Sequence, residues 1–282
     1  MGERSFLFVP GIDEKKIAKA MQSSADVIVL DLEDSVIPAQ KEMARATVSR
    51  IITEGSNKPM LVRINSVSTP WALLDLLAVI PQKPYGIMLP KSEKASDVEK
   101  VSWISEQLGG ADSELRIYPL IESAAGVERA LEIAQASRRI HRLVFGALDY
   151  LLDLGLDYNS DPSLLAYPRA RLVGISAMTG LEGPVDTVFP LINDEEGLQR
   201  DTLEAKTMGF TGKLIIHPLQ IEIVNGLFTP SSTQIEEARQ IIEVYKEAQL
   251  AGKGAIQWKG KMLDEPVLKR AQRVLEQVFK NA

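Results

Sequence analysis

The chain has 282 residues, of which 45% are hydrophobic, and it carries a formal net charge of −6. This acidic balance argues against a nucleic-acid partner, because a nucleic-acid groove needs a clustered basic face. The lack of cysteine excludes disulfides, thiolate nucleophiles and thiolate metal sites. The sequence shows neither a leader-like N-terminus nor a run of about 20 apolar residues, so we expect a soluble cytoplasmic protein with no membrane partner.

Eight short apolar runs recur along the chain, and each stops at a polar or turn residue. They are Ser5 to Val9, Val27 to Leu30, Met60 to Val62, Gly86 to Leu89, Arg116 to Ile121, Arg142 to Phe145, Val185 to Leu191 and Lys213 to Ile216. Runs without alternation are typical of strands buried on both faces, as in a parallel sheet covered by helices. Eight of them predict an α/β fold of the (β/α)8 TIM barrel class, which takes roughly 250 residues. Polar residues at the carboxyl ends of such strands indicate an enzyme site.

Segments with helical spacing separate these runs. They are Asp13 to Ser24, Pro38 to Thr53, Ser96 to Leu108, Ala124 to Ser137, Ser163 to Thr179, Asp194 to Met208 and Pro218 to Asn225. After the eighth strand we expect a helix from Ser232 to Ala251, a loop from Gly252 to Asp264 and a terminal helix from Glu265 to Lys280. We therefore predict a catalytic barrel over residues 1–230 and a C-terminal helical extension over residues 231–282, which is expected to pack on a neighbouring subunit.

Two carboxylates at adjacent strand ends suggest a metal site. Glu122 follows the fifth strand and Asp149 lies just beyond the sixth, so both are expected to point into one barrel mouth. Oxygen ligands with room for water and substrate suit Mg²⁺ or Mn²⁺. The alternative is structural: Glu122 would cap the helix that starts near Ala124, and Asp149 would be an ordinary loop acid.

Arg63 ends the third strand, where a guanidinium is costly to leave unpaired. Its planar fork suits a substrate carboxylate or a polarised carbonyl oxygen, which makes Arg63 a candidate for both substrate binding and catalysis. The alternative is an ion pair with Glu33 or Asp34 across the mouth. The two interactions can also hold at different stages of turnover.

An acidic cluster of Asp31, Glu33 and Asp34 follows the second strand. Such a cluster can orient Arg63 or water on a metal, and Glu33 can serve as a general base if its neighbours raise its pKa. Helix capping and a solvated surface are the alternatives. We expect at least one of these three acids to orient the residues that bind metal or substrate rather than to bind either itself.

The segment from Gly146 to Asp149 offers consecutive backbone N–H groups at a turn. Those of Gly146, Ala147 and Leu148 are candidates for holding a substrate carboxylate beside the metal. A tight turn would explain the glycine equally well. His217 is interpreted as a hydrogen-bonded rim residue, and His141 as part of the approach to the sixth strand.

A small basic group near the first strand and helix consists of Arg4, Lys15 and Lys16. These residues are candidates for contacting the phosphates of a nucleotide-like cofactor or substrate handle, and a solvated helix face is the alternative. The sequence contains no GxGxxG and no GxxxxGK[ST] motif, so the dinucleotide and P-loop fingerprints are both missing.

With these residues in place, the chain resembles the citrate lyase beta-subunit-like family of the HpcH/HpaI aldolase group. The stretches that carry the resemblance run in order along nearly the whole chain. They are residues 4–11 (RSFLFVPG), 29–36 (VLDLEDSV), 62–65 (VRIN), 88–91 (MLPK), 120–123 (LIES), 145–149 (FGALD), 216–220 (IHPLQ) and 260–266 (GKMLDEP).

The resemblance implies a trimer, or a hexamer built from trimers, that makes or breaks a carbon–carbon bond in a 3-hydroxyacyl-CoA of the malyl, citramalyl or citryl type. It implies that Glu122 and Asp149 bind Mg²⁺ and that Arg63 orients the oxo or hydroxy acid. It further implies that Asp264 is a catalytic residue supplied by an adjacent subunit. Many relatives carry Asp-Gly-Lys-Met in the last loop, where this chain has Lys259 before the glycine.

Four alternatives stay open from the sequence. A malyl-CoA thioesterase or a malate-synthase-like enzyme would act on the same class of thioester but give different products. A metal-dependent aldolase would act on free oxo acids without a thioester. A subunit that is inactive alone would require partner subunits and a carrier protein, as a citrate lyase beta subunit does.

Overall fold

The computed structural model describes residues 2–109, 114–157 and 161–281. Eight parallel strands pair in sequence order, and the eighth pairs with the first, which closes a barrel. The strands are β1 Ser5–Pro10, β2 Val27–Asp31, β3 Met60–Arg63, β4 Gly86–Leu89, β5 Arg116–Ile121, β6 Val144–Phe145, β7 Val185–Asp186 and β8 Gly212–Ile215. The predicted (β/α)8 barrel is therefore confirmed.

Helices follow the strands as the right-handed βαβ pattern requires. Those preceding the last strand are α1 Glu14–Gln22, α2 Lys41–Glu54, α3 Trp71–Val79, α4 Ala95–Gly109, α5 Ala124–Glu128, α6 Ala130–Gln135, α7 Ala147–Asp153, α8 Ala166–Thr179 and α9 Glu195–Met208. After it come α10 Ile221–Phe228, α11 Ser232–Leu250 and α12 Glu265–Asn281. None of the helices in the described ranges is long and apolar enough to cross a bilayer.

Two of these helices, α3 and α7, are absent from the sequence prediction. The α3 segment WALLDLLAV has apolar residues on nearly every side, so it shows no 3.6-residue periodicity. The α7 segment is only seven residues long and directly follows a strand. The predicted helix from Ala124 to Ser137 is instead two helices, because the backbone leaves helical geometry at Arg129, with φ −95° and ψ 10°.

The sixth and seventh strands are shorter than their apolar runs suggest. The run from Val185 to Leu191 contributes only Val185–Asp186 to the sheet. Phe189 is nevertheless buried, so its apolar character reflects burial outside the sheet. This early strand end places Thr187 at the barrel mouth.

The amino end of the barrel is closed by packing around one carboxylate. The Glu3 carboxylate accepts a 3.1 Å hydrogen bond from the Tyr118 hydroxyl. It also lies 3.5 Å from both His141 Nε2 and Arg142 Nη1. His141 precedes β6 by three residues, as predicted. The cavity described below lies at the other end, where the strands have their carboxyl ends.

A buried ion network fixes the last strands against the outer helices. Asp186 accepts 3.0 Å hydrogen bonds from Arg169 Nε and Nη2 on α8 and a 2.7 Å bond from Lys213 Nζ on β8. Lys213 Nζ also lies 2.6 Å from Asp201 on α9. The side chains of Arg169, Asp186 and Lys213 are at most 1% exposed. Removing one member therefore leaves its partners charged and buried.

We expect Asp186→Asn to lower the free energy of unfolding by about 3 kcal/mol or more, the range for breaking a buried ion pair. Equilibrium urea denaturation measures the change. The matched control is Glu54→Gln, which removes an exposed partner of Arg50 and should leave the unfolding midpoint unchanged. Equal midpoints for Asp186→Asn and the unmodified protein would contradict this account of the network.

The C-terminal part of the chain forms a second compact unit that begins at Gly226, slightly before the predicted start of the extension at residue 231. Helices α11 and α12 are joined by an antiparallel hairpin of β9 Ile256–Trp258 and β10 Lys261–Leu263. The predicted loop from Gly252 to Asp264 is wrong in this respect. Lys259 and Gly260 form the two-residue turn with φ values of 51° and 78°. Two positive φ values are the mark of a type I′ turn, so Lys259 and Gly260 occupy the turn position of this hairpin.

Candidate active site

A cavity of about 460 Å³ opens at the carboxyl ends of the strands. Its charged lining consists of Asp31, Asp34, Arg63, Glu122 and Asp149. Apolar residues, including Phe8, Leu120, Val188 and Leu214, form much of the remaining wall. The structure thus brings together the strand-end residues that the sequence analysis singled out from β2, β3, β5 and the segment after β6.

Arg63 is held by the acidic cluster. Its Nε and Nη2 donate to the two Asp31 carboxylate oxygens at 2.7 and 2.8 Å, which is the bidentate geometry that suits a guanidinium. Its Nη1 lies 3.2 Å from Glu33 Oε2 and 3.5 Å from Asp34 Oδ2. Burial is the largest single influence and favours a neutral Asp31, but the hydrogen bonds and charge of Arg63, together with hydrogen bonds from Ser35 and Glu33, outweigh it and lower the pKa of Asp31. Asp31 therefore stays ionised and orients Arg63.

Glu33 is a buried carboxylate with an incomplete set of partners. Its side chain is 8% exposed, and its Oε2 lies near Arg63 without accepting a hydrogen bond in usable geometry. Its Oε1 lies 3.4 Å from Lys91 Nζ. Burial raises the pKa of Glu33 to about 7, with Asp34 adding to the effect and Arg63 opposing it. Near neutral pH, Glu33 is therefore poised to accept or release a proton.

Glu122 lies directly after β5 and is 4% exposed. Its Oε1 accepts a 2.7 Å hydrogen bond from the Lys91 backbone N–H. Burial, followed by the negative charges of Glu33 and Asp149, raises the pKa of Glu122 well above its ordinary value. The capping alternative for Glu122 is wrong, because Ser123 caps α5 by accepting from the Gly126 N–H at 3.1 Å.

Gly146 lies against Glu122. A Cβ atom at Gly146 would be 2.7 Å from Glu122 Cβ and 2.8 Å from Glu122 Oε2. Gly146 has a φ of −115°, which any residue can adopt. The tight turn considered from the sequence therefore does not explain this glycine; the close approach to Glu122 does.

Asp149 lies in the first turn of α7 and lines the same cavity. Among the described residues, no three histidine or acidic side chains are grouped as a complete metal cage. Two carboxylates still fit Mg²⁺, which keeps several waters and commonly takes one or two carboxylates plus substrate oxygens. Burial first, and then the charges of Glu33 and Asp149, disfavour the ionised form of Glu122, and a divalent cation would offset that cost.

The backbone N–H groups predicted to bind substrate are mostly engaged. The Gly146 N–H donates to the Ile121 carbonyl at 2.9 Å, and the Ala147 N–H donates to Thr187 Oγ1 at 2.9 Å. Of the three predicted N–H groups, only that of Leu148 has no hydrogen-bond partner among the described residues. The prediction that Gly146 and Ala147 bind substrate through these groups is therefore corrected, because both protons are already used.

The three basic residues predicted to bind phosphate are not brought together. Arg4 precedes β1 at the amino end of the barrel and donates to both Asp26 carboxylate oxygens at 2.8 Å. Lys15 and Lys16 are exposed in the first turn of α1, beyond the carboxyl end of β1. The grouping of Arg4 with these lysines is corrected, because the length of β1 separates them.

His217 and Asp264 both serve as caps in the structure. His217 Nδ1 accepts from the Leu219 N–H at 3.3 Å, which agrees with its interpretation as a hydrogen-bonded residue. Asp264 lies directly before α12, and its Oδ1 accepts from the Val267 N–H at 3.3 Å. Asp264 remains partly accessible.

Sequence reasoning missed three residues that build the site. Lys91, with a φ of 51°, joins Glu122 through its backbone and Glu33 through its side chain. Lys41 Nζ is buried and donates to the carbonyls of Leu32 and Glu33 at 2.8 and 2.7 Å. Thr187 is the third of these residues. The position of Lys91 after Pro90 at a strand end could have marked it in the sequence, whereas Lys41 lies within an ordinary helical pattern and carried no such signal.

These features define a barrel enzyme whose carboxylates and arginine meet in one cavity at the carboxyl ends of the strands. The sequence profile of the HpcH/HpaI aldolase/citrate lyase family matches residues 4–218, and the chain belongs to this family. The mitochondrial citramalyl-CoA lyase of Rattus norvegicus is 36% identical to it, across 96% of this chain and 85% of that protein. Citrate lyase subunit beta of Haemophilus influenzae is 33% identical, across 97% of this chain and 96% of that subunit.

Solved structures give the same result. The crystal structure of CitE from Mycobacterium tuberculosis in complex with magnesium, acetoacetate and coenzyme A matches with a TM-score of 0.80 and 30% sequence identity. The match covers 98% of this chain and 98% of CitE. The resemblance derived from the sequence motifs is thereby confirmed.

Proposed function

We propose that this protein is a magnesium-dependent carbon–carbon lyase that splits, or forms, a 3-hydroxyacyl-CoA of the malyl, citramalyl or citryl type. The products of cleavage are an oxo acid and a shorter acyl-CoA. The names of the relatives support the lyase class, and the ligands of CitE support magnesium and a coenzyme A thioester. The observation that carries the proposal is the convergence of Glu122, Asp149 and Arg63 on one cavity.

Glu122 and Asp149 are the residues that would hold Mg²⁺. When bound, the cation would act as a Lewis acid toward the oxygens of the hydroxy acid or oxo acid. Arg63 would bind the carboxylate of that acid, and Asp31 keeps its guanidinium in a fixed orientation. The CoA phosphates would meet Lys15 and Lys16, the two predicted basic residues beyond the carboxyl end of β1. Arg4 has no part in this proposal.

The proton transfers are assigned to two acids. In cleavage, Glu33 takes the proton of the substrate hydroxyl as the carbon–carbon bond breaks, and the bonding electrons pass to the acyl thioester as an enolate. Asp264 of a neighbouring subunit then donates a proton to the enolate carbon. In the reverse reaction both transfers are inverted, and solvent restores the two groups between turnovers.

The assembly and the location remain predictions. We propose a homotrimer or a hexamer built from two trimers, because the family resemblance assigns Asp264 to a site on another subunit. We also propose a cytoplasmic location. Sedimentation equilibrium would test the assembly. We also expect the protein to lose activity at dilutions high enough to dissociate it into monomers.

The decisive experiment is product analysis. Purified protein and MgCl₂ are incubated with malyl-, methylmalyl-, citramalyl- and citryl-CoA, and the products are identified by mass. A lyase yields an oxo acid and a shorter acyl-CoA, whereas a thioesterase yields the free hydroxy acid and coenzyme A. Turnover of free hydroxy-oxo acids with no thioester turnover would indicate an aldolase, and inactivity with every thioester would indicate a carrier-dependent subunit.

The pKa of Glu33 predicts the pH dependence. The base must be ionised to accept the hydroxyl proton, so kcat/KM for cleavage should fall as pH drops through the pKa of about 7. A bound cation would stabilise the carboxylate, which places the acid limb at or below that value. Glu33→Gln should lose the limb along with about 10²-fold or more in rate. A limb that persists unchanged in Glu33→Gln would assign the titration to another group.

A further inference from the structure

Thr187 is a buried hydroxyl on the wall of the active-site cavity. It follows β7 directly, is 3% exposed and lines the cavity together with Glu122 and Asp149. Its Oγ1 accepts the Ala147 N–H at 2.9 Å. Ala147 begins α7, the helix that carries Asp149, and follows Gly146, which lies against Glu122. The hydroxyl therefore lies at the start of the helix that carries one proposed metal ligand, in the cavity that both ligands line.

The main chain at Thr187 is held in place by the residue that precedes it. The preceding residue, Asp186, is fully buried and bound by Arg169 and Lys213 through three hydrogen bonds of 2.7 to 3.0 Å. Because Asp186 is held to both α8 and β8, the main chain that carries Thr187 has little freedom to move. A hydroxyl group on such a support is preorganised for a ligand.

The hydroxyl proton of Thr187 has no acceptor among the residues that the structure describes. A threonine hydroxyl both accepts and donates, and here the accepting role is already filled by the Ala147 N–H. Buried polar groups are rarely left without a partner. The remaining proton is therefore available to a group that enters the cavity.

We propose that the Thr187 hydroxyl donates a hydrogen bond to an oxygen of the oxo-acid half of the substrate, as a second specificity residue beside Arg63. This inference rests on the proposed lyase function. Oxygen atoms of a ligand that reaches a cation held by Glu122 and Asp149 would enter the same cavity that Thr187 lines. An oxo acid presents carboxylate and carbonyl oxygens that can accept the hydroxyl proton.

The test uses Thr187→Val, which keeps the shape of the side chain and removes the hydroxyl. Pyruvate is titrated into each protein with MgCl₂ present, and KM is measured for pyruvate and acetyl-CoA in the condensation direction. We expect pyruvate affinity to fall about 10-fold or more, as for a lost hydrogen bond to a charged group. The KM for acetyl-CoA and the half-saturating Mg²⁺ concentration should stay unchanged.

Two further variants serve as controls. Thr187→Ser keeps the hydroxyl and should restore pyruvate affinity to within about threefold of the unmodified protein. Thr202→Val makes the same change at a buried threonine of α9, whose hydroxyl donates to the Leu198 carbonyl and does not line the cavity. It should leave all three constants unchanged.

The outcomes separate the two proposals. Unchanged pyruvate affinity in Thr187→Val, with an active unmodified enzyme, would overturn the inference and leave the lyase function standing. A parallel loss of Mg²⁺ affinity would also overturn it, because Thr187 would then act only by positioning α7 and Asp149. An unmodified protein that neither binds pyruvate nor turns over any thioester would refute the function and the inference together.

Discussion

Replacing Asp264 by asparagine should lower kcat about 10³-fold while leaving Mg²⁺ affinity unchanged, since positioned acid–base groups typically contribute 10² to 10⁴. The change removes the carboxyl proton and preserves the cap, because asparagine offers an oxygen to the Val267 N–H as aspartate does. The helix α12 should therefore stay intact. Steady-state kinetics and Mg²⁺ titration of the same preparation measure both quantities.

The matched control for Asp264→Asn is Asp194→Asn. Asp194 caps α9 through a 2.9 Å bond from the Gly197 N–H and carries no proposed chemistry. Its replacement should leave kcat near the unmodified value. A comparable fall in both variants would trace the effect to capping and refute the assignment of Asp264 as the acid.

The supply of Asp264 by a neighbouring subunit can be tested by mixing. Subunits carrying Asp264→Asn and subunits carrying Glu122→Gln are each expected to be inactive. When they are dissociated and reassembled together, some sites combine an intact Glu122 with an intact Asp264 from the neighbour. Recovered activity would support the shared site, and its complete absence in verified mixed oligomers would show that both residues act within one subunit.

The barrel was predictable because its strands are buried on both faces. Continuous apolar runs marked all eight strands, and the bounds of β4 and β5 were predicted without error. The strand ends then located Arg63 and Glu122, since the parallel topology brings all carboxyl ends to one edge. Composition alone could not reveal α3, because a helix that is apolar on nearly every side has no periodicity to detect.

The supporting residues could not be predicted because their roles depend on contacts between distant segments. Lys41 meets the carbonyls of Leu32 and Glu33 only after α2 has packed against the end of β2. Thr187 meets the Ala147 N–H directly after β7, which is only two residues long although the apolar run continues to Leu191. The sequence analysis expected the cluster of Asp31, Glu33 and Asp34 to orient Arg63, but it could not single out Asp31 as the bidentate partner.

Replacing Glu122 by glutamine should weaken Mg²⁺ binding at least about 100-fold, because losing a direct ligand costs no less than losing an outer partner of a ligand. The variant should fold well without the metal. Burial and the charges of Glu33 and Asp149 raise the pKa of Glu122, so its ionised form destabilises the metal-free fold near neutral pH. A neutral glutamine of similar shape removes that repulsion.

Thermal melting with and without MgCl₂ distinguishes these effects. The unmodified protein should gain Tm as MgCl₂ is added, because a ligand that binds only the folded state stabilises it. Glu122→Gln should start from a higher Tm in the absence of metal and show almost no response to MgCl₂. Glu99→Gln, an exposed change on α4, should respond as the unmodified protein does. If Glu122→Gln gained as much Tm from MgCl₂ as the unmodified protein, the cation would have to bind elsewhere, and Glu122 would be a buried acid with another role.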